Sequence, residues 1–478
     1  MSSRVYVTTT IPYVNARPHI GFALELVQAD VLARYYRLTG HEVRFQTGTD
    51  DNATSNVLSA KARAIPVGRF VDKNAEAFRD LVTALDCSTD FFIRTRAPTH
   101  HRAVQRFLKS LDNDDTYVAA YRGRYCPRCE DFYLERDTTA GRCPEHEHPL
   151  DEVEEVNHFF RLSRYESIVR HLIATRRIEV IPETREAEVL RFLDRGLHDF
   201  SISRSAVRAA GWGVPFPGDA DQVVYVWVDA LINYLTGLGY PESEDCVFWW
   251  EGSRKIHVIG KNVWKFHAVY WPALLLSAGL PVPDKIFAHG FLTENGRKIS
   301  KSAGIASDPR DFIATFGADA VRYFLLAHVR PYDDTDFSVG RLVDVYRTDL
   351  ANILGNLASR LTALCERARL AGVDRSSPPV PDRYHEYFER CRFDLVAGAL
   401  WRELDLLNAE IAAERPWESL KGAPPGDPGD SLRCWAERLY GVAYWLAPLL
   451  PSTASQIIST LTAREIRKAE PLFPKLAS

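Results

Sequence analysis

The sequence predicts an α/β protein in which a parallel-sheet domain is split by an inserted domain and followed by a separate helical bundle. Three observations predict it. The first fifty residues read strand, turn, helix, strand, which is a βαβ unit. Short β-rich runs return after Val223, beyond a middle segment of different composition. From about Leu342 onward the chain is nearly all amphipathic helix.

The elements follow in order. Residues 4 to 11, RVYVTTTI, read as a buried strand, and Pro12 to Gly21 as a turn. A helix is expected from about Phe22, because Ala23, Leu24, Leu26, Val27, Val31, Leu32 and Tyr35 recur near helical spacing and Gly40 stands where a left-handed cap belongs. HEVRFQTGTD is a second strand with polar residues at its carboxyl end, where sheets of this kind bind ligands. From Asp114 to Pro217 the pattern breaks into a cysteine cluster, the charged stretch DEVEEVNHFF and the helical ETREAEVLRFLDRGL. VVYVWVDA, KIHVIG and KIFAHG then read as resumed parallel strands. In the terminal bundle GAPPGDPGD is a loop between helices. The boundaries so predicted are 1–113 and 221–290 for the two halves of the sheet domain, 114–220 for the insertion, 291–341 for a loop and linker, and 342–478 for the bundle.

A chain of 478 residues suits several domains. With 46% hydrophobic and 26% charged residues the composition is that of a globular protein, and no apolar run approaches the roughly 20 residues of a membrane span. The N-terminus has no signal core, so a cytoplasmic address and no membrane partner are expected. A net charge of −4 leaves any nucleic-acid contact to local basic patches. A monomer is the simpler expectation, since no appended dimerisation segment follows the bundle.

Three constellations carry chemistry. PHIG, at 18 to 21, places His19 and the close-approach backbone of Gly21 beside a helix N-terminus, a position that favours phosphate. Alone it is weak, because a histidine before a helix is more often a cap. RKISKS, at 297 to 302, puts cations and hydroxyls, with Lys298 and Lys301 foremost, where triphosphate oxygens are neutralised in an in-line displacement. Its bland alternative is a solvated basic loop. Cys126-Pro-Arg-Cys129 followed by Cys143-Pro-Glu-His146 has the paired spacing of a tetrahedral zinc site with four protein ligands, hence a closed structural one; His148 is the alternative to His146.

HIG early and KISKS late resemble the signature pair of the class I aminoacyl-tRNA synthetases. IPYVNARPHIG, VVYVWVDALINYL, HVIGKNVWKFHAVYWPALLLSAGLP and FAHGFLTENGRKISKS are similar to its methionyl branch, over almost the whole chain. The resemblance implies a Rossmann-type class I synthetase catalytic domain with an inserted zinc-binding connective domain and a C-terminal α-helical bundle. It implies methionine activation with ATP and Mg2+, transfer to tRNA, and structural Zn2+. It assigns a methionine pocket to Ile11, Tyr13, Trp227, Ala230, Leu231, Tyr234, Val263, His267 and Trp271, with Asp50 on the ammonium; aromatic walls suit a thioether and a carboxylate suits an amine. ATP contacts fall on His19, Gly21, Gly260, Asn262, Lys298, Ser300 and Lys301. Asn356 and Arg360 are similar to the anticodon-reading helix, with Pro416 and Trp417 as its stacking partner. Each aromatic in these sets has core packing as its alternative.

The sequence departs from the family at several points. Phe22 replaces the second histidine of the first signature, Asp51-Asn52-Ala53 replaces an acidic-His-Gly stretch, and Asn262 stands where Asp is usual; Ile299 for Met is conservative. Loss of a transition-state donor costs about 10² to 10³ in rate in comparable sites. Two competing readings follow. One is a paralogue that activates an amino acid for a non-tRNA acceptor, like the synthetase-like parts of hydrazine-forming enzymes. The other is a non-catalytic tRNA-binding or regulatory protein. Retention of Asn356, Arg360 and Trp417 favours the tRNA ligase.

Overall fold

The computed structural model describes residues 4–126, 131–133, 138, 141–143, 148–294, 297–299, 308–420 and 429–476. The chain forms two compact units. The first comprises Met1–Pro18, Gly40–Val82 and Ser88–His289; the second comprises His19–Thr39, Thr83–Cys87 and Gly290–Ser478.

The strands of the first unit are β1 (Arg4–Thr9), β2 (Glu42–Thr49), β3 (Phe91–Arg94), β4 (Thr116–Cys126), β5 (Asp131–Tyr133), β6 (Asp151–Phe160), β7 (Glu179–Ile181), β8 (Phe200–Ser201), β9 (Ser203–Ser205), β10 (Gln222–Val224), β11 (Arg254–Gly260) and β12 (Lys285–His289). Six of them form one sheet in the order β3-β2-β1-β11-β12-β7, and every pairing in it is parallel. From β1 the chain builds outward to β2 and β3 on one side, and later to β11 and β12 on the other. The order therefore reverses between β1 and β11, and the carboxyl ends of those two strands flank the crevice where such sheets take ligands.

A parallel sheet covered on both faces demands near-continuous burial, and β11 and β12 are buried along almost their whole length. Their polar residues are paired across strands instead of turned outward. The Thr8 hydroxyl lies 2.7 Å from His257 Nδ1, Thr9 lies 2.7 Å from Thr47, and the Tyr6 hydroxyl donates to Gln46 Oε1 at 2.8 Å.

The stretch expected as an insertion supplies two things. Its antiparallel sheet, ordered β5-β4-β6-β8, shows why a charged segment becomes a strand: in DEVEEVNHFF, Val153, Asn157, Phe159 and Phe160 are buried while the residues between Asp151 and His158 other than Val153 and Asn157 are exposed or half-buried. The same stretch also contributes β7, the edge of the parallel sheet.

One expected strand is corrected. VVYVWVDA forms only the three-residue β10, antiparallel to β9, and turns into a helix at Val226. Counting helices in chain order, these are α1 (Ile20–Leu38), α2 (Thr54–Ala62), α3 (Val67–Ala84), α4 (Pro98–Ser110), α5 (Glu166–Ala174), α6 (Glu183–Leu193) and α7 (Val226–Thr236). From Val228 to Leu235 α7 is buried on every side, so its apolar run has no polar face to reveal the helical period and reads like a buried strand.

In the second unit α1 ends as its sequence predicts. The Thr39 N–H caps Tyr35 O at 3.0 Å, and Gly40 follows at φ +86°. The fully buried Arg322, on the helix Ala318–Ala327, pairs with Asp30 of α1 at 2.7 Å and donates to the carbonyls of Leu85, Pro448 and Leu449. Asp30 also holds Arg34 at 2.8 Å. The helices Asn356–Arg367, Phe393–Glu414, Gly429–Leu446 and Pro451–Leu461 make up most of the remainder. Among the described residues no helix is long and apolar enough to cross a membrane.

Candidate active site

The chain leaving β1 stays beside the end of β2. Tyr13 bridges Asp50 in parallel register and the Asp50 N–H donates to Pro12 O at 2.9 Å, so the carboxylate is set next to the first turn. Asp50 is fully buried, and its Oδ1 accepts the Asn52 N–H at 3.0 Å and the Thr95 hydroxyl at 3.3 Å. The Asn56 amide ties down the carbonyls of Asp50 and Asp51. This loop is therefore rigid before any ligand arrives, as an ion-pairing site needs.

The aromatic residues predicted from the sequence gather around it. Ile11 and Ala230 share a small apolar cluster with Ile93. The Tyr13 ring meets Trp227 at 6.2 Å, and Trp227 stacks on Phe266 at 4.0 Å. Leu231, Tyr234, Val263 and Trp271 belong to the main core cluster, against which Tyr13 and Trp227 pack.

His267 lies on a π-helical turn, Phe266–Tyr270, a local widening common at functional sites. Its Nδ1 donates to Val263 O at 3.0 Å, so Nε2 is the acceptor and the Tyr234 hydroxyl donates to it at 2.8 Å. Tyr234 also faces Trp271 at 6.2 Å. All nine residues expected in the pocket lie inside the first unit; seven of them connect with one another and, through Tyr13, with Asp50, whereas Ile11 and Ala230 fall in their own small cluster. Gly260 ends β11, and Asn262 is exposed in the turn after it, where the Lys261 N–H donates to His289 O at 3.0 Å.

Several residues that build this region were not assigned to the site from the sequence, although Asp51 and Asn52 were noted as departures from the family. Asp229 and His100, both buried, form a 2.5 Å pair, and Asn52 joins them. The buried Asp51 accepts from Arg94 at 2.8 Å and from the Thr49 hydroxyl at 3.0 Å. Burial pushes its carboxyl up, with Arg94 opposing. Burial likewise pushes His101 down. The available signal was an aspartate inside the otherwise apolar run VWVDAL, since a charge at such a position is seldom fully buried without a partner.

The first signature lies in the second unit. His19 caps α1, its Nδ1 accepting the Gly21 N–H at 3.1 Å, which leaves the ring proton on Nε2. A Cβ on residue 21 would come within 2.9 Å of that ring, so glycine is required. Phe22 is buried in the first turn. The expected capping role is present, and it orients the imidazole.

Of the second signature, Arg297–Lys298 forms a short strand against Leu292–Glu294, and Ile299 is buried; Ser300 and Lys301 lie outside the described residues. Asn356 is exposed, whereas Arg360 is half-buried and spends a guanidinium N–H on Asn408 Oδ1 at 2.7 Å. Pro416 and Trp417, which open a short helix, are half-buried.

Of the expected zinc ligands, Cys126 and Cys143 are buried and outside any disulfide, and Cys129 and His146 lie outside the described residues. An antiparallel bridge between Arg142 and Pro149 flanks Cys143, whose N–H donates to His148 O at 2.9 Å, while Leu150 N–H donates to Gly141 O at 3.0 Å. Among the described residues no group of three or more potential ligands occurs. Two buried thiols, one ending β4 and one beside that bridge, fit the donor chemistry of a structural zinc.

Known proteins give the context. The family model for tRNA synthetases class I (M) matches residues 5–152 and 146–362. A methionine–tRNA ligase of Thermosynechococcus vestitus is 38% identical over 96% of this chain and 90% of its own length. One from Thermotoga maritima is 37% identical over 97% of this chain and 76% of its own. A solved structure of Mycobacterium tuberculosis methionyl-tRNA synthetase in complex with methionyl-adenylate superposes with a TM-score of 0.89 at 35% identity, covering 100% of this chain and 99% of that one.

Proposed function

The chain belongs to the class I tRNA synthetases of the M family, and from that premise we propose that it is a methionine–tRNA ligase. The observation that carries the reading is the run of packed side chains from Asp50 through Tyr13 and Trp227 to Tyr234, His267 and Trp271. It offers a buried carboxyl group at one end and an aromatic and histidine wall at the other, complementary to an ammonium and to a polarizable thioether.

In the first step the methionine carboxylate attacks the α-phosphate of ATP and pyrophosphate leaves. His19 Nε2–H, Lys298 and Lys301 stabilise the charge that gathers on phosphate oxygens, with Gly21, Gly260, Asn262 and Ser300 at the nucleotide. In the second step a terminal ribose hydroxyl of tRNA attacks the adenylate carbonyl and AMP leaves. Mg2+ would accompany the triphosphate and offset part of its charge. Cys126, Cys129, Cys143 and His146 would hold a structural Zn2+ that supports the inserted domain and supplies nothing to the chemistry. Asn356, Arg360, Pro416 and Trp417 meet the anticodon. The domain boundaries expected from the sequence, a cytoplasmic location and a monomeric state complete the proposal.

The test is amino-acid-dependent ATP–pyrophosphate exchange across the standard amino acids, followed by charging of methionine tRNAs with the same preparation. Exchange with methionine and charging are expected. Phe22, Asn52 and Asn262 support the second reading, a ligase with a non-tRNA acceptor; exchange without charging would establish it, and absence of any exchange would favour the non-catalytic protein.

A further inference from the structure

Asp229 is buried on α7, the helix that also carries Trp227, Ala230, Leu231 and Tyr234. Its two oxygens face two donors: Oδ1 accepts from His100 Nε2 at 2.5 Å and Oδ2 from Asn52 Nδ2 at 2.8 Å. His100 Nδ1 is in turn held at 2.8 Å by Thr236 Oγ1, on the last residue of the same helix. Asn52 uses the second hydrogen of its amide on Thr95 O at 3.0 Å. From there two paths reach Asp50 Oδ1, one through the Asn52 backbone N–H and one through the Thr95 hydroxyl.

We propose that Asp229 and His100, acting through Asn52, are positioning residues that fix the distance between the Asp50 carboxylate and the side-chain pocket on α7, and thereby the length of amino acid accepted. This rests on the methionine reading of the same pocket. The two ends of a bound amino acid are read by different elements, the ammonium by the loop after β2 and the side chain by α7. A pocket measures length only if those elements are tied. The Asp229–Asn52 bond is such a tie, made between buried side chains where a mismatch of donors is not repaired by water.

It also accounts for asparagine where the family has histidine: the amide donates to Asp229 and to Thr95 O at once. Asp50 is the group expected to touch substrate; Asp229, His100 and Asn52 act on it from behind.

The experiment measures ATP–pyrophosphate exchange by the full chain, with Michaelis constants for methionine and for ATP determined separately. D229N turns one acceptor into a donor facing Asn52 or His100, and N52D sets two carboxylates against each other. In each the KM for methionine is expected to rise about tenfold or more while that for ATP stays within about twofold, since an unmatched buried donor or acceptor carries a penalty of that order.

Preference for methionine over an amino acid one methylene shorter falls in parallel. The exchange D229N/N52D, which again sets a donor against an acceptor, brings the methionine constant back toward wild type. V169A, at a buried position of α5, serves as a control with lowered melting temperature and unchanged methionine constant.

Equal rises in both constants, or variants that lose only melting temperature, would overturn the tie. Wild-type exchange with a different amino acid would overturn the methionine reading alone, since the split in constants is then read with that amino acid. A wild-type protein inert toward every amino acid would overturn both.

Discussion

Replacing Asp50 with asparagine isolates charge from shape. The Asn52 N–H and the Thr95 hydroxyl both donate to Oδ1, and an amide oxygen at that place accepts them as well as a carboxylate oxygen does. The new NH2 then occupies the position of Oδ2. Backbone ties from Pro12, Tyr13 and Asn56 are untouched by the change, so the melting temperature should stay near that of the wild type.

On the proposed assignment, what is lost is the buried carboxylate opposite the substrate ammonium. Removing one member of a buried, hydrogen-bonded charge pair costs about 2–5 kcal/mol. At about 1.4 kcal/mol per decade, that is roughly 30-fold to a few thousandfold in kcat/KM for methionine. The assay is methionine-dependent pyrophosphate exchange at saturating ATP, with the ATP constant measured alongside. An unchanged kcat/KM for methionine, with a folded protein, would refute the assignment of Asp50 to the ammonium.

Three further outcomes follow from other parts of the molecule. Arg322→Leu removes the fully buried partner of Asp30, leaving it only its part-exposed pairing with Arg34 among the ion pairs described, and takes a donor from each of three carbonyls, so unfolding free energy by denaturant should fall by about 3–5 kcal/mol; a loss under 1 kcal/mol, on the scale of an exposed pair, would contradict the geometry. Burial raises the Asp349 carboxyl, but hydrogen bonds from His328, Thr348 and Tyr323 outweigh it and hold the group below its ordinary value. Its contribution is therefore present at neutral pH and lost as pH falls through and below the usual carboxylate range near 4, so the stability difference between wild type and Asp349→Asn should shrink over that window; a difference constant from pH 7 to about 3 would be inconsistent with it. Cys143→Ser should lower zinc content by elemental analysis and depress the melting temperature, and equal zinc in both proteins would remove Cys143 from the ligand set.

The parallel sheet was legible because β1, β2, β11 and β12 are short β-rich runs with punctuated ends, and the carboxyl-end rule then pointed to the ends of those strands and the first turn; Asp50 and Gly260 themselves came from the resemblance. α7 was not legible as a helix: it is buried from Val228 around to Leu235, Asp229 and Asn233 included, and lacks the exposed polar face on which periodicity is read. β7 was hidden for the opposite reason. Three residues carry no period at all, and only their pairing with β12 makes them part of the sheet. In the site, the pocket aromatics came from resemblance. Asp229 and His100 were missed because the bond between them spans 129 positions of sequence, and nothing local marks a long-range partner.

The altered residues argue about activity through how they are satisfied. A site released from its function accumulates substitutions that leave buried polar groups mismatched, since nothing but stability selects against them and each costs about 1–3 kcal/mol. The stretch Asp51-Asn52-Ala53 shows the reverse. Asp51 is matched by Arg94 and the Thr49 hydroxyl, both hydrogens of the Asn52 amide have acceptors, and Ala53 is fully buried in the core. Three neighbouring departures from the family have thus been refitted together around a carboxylate, Asp50, that stays pinned by the same loop. Refitting of that kind preserves the position of one charged oxygen pair, which matters to a bound ammonium and to little else. Phe22 fits the same account if the first turn of α1 has also been refitted, and Phe22→His then separates the cases: a faster adenylation rate means a missing donor was restored, whereas an unchanged or slower rate means the site is built around the phenylalanine.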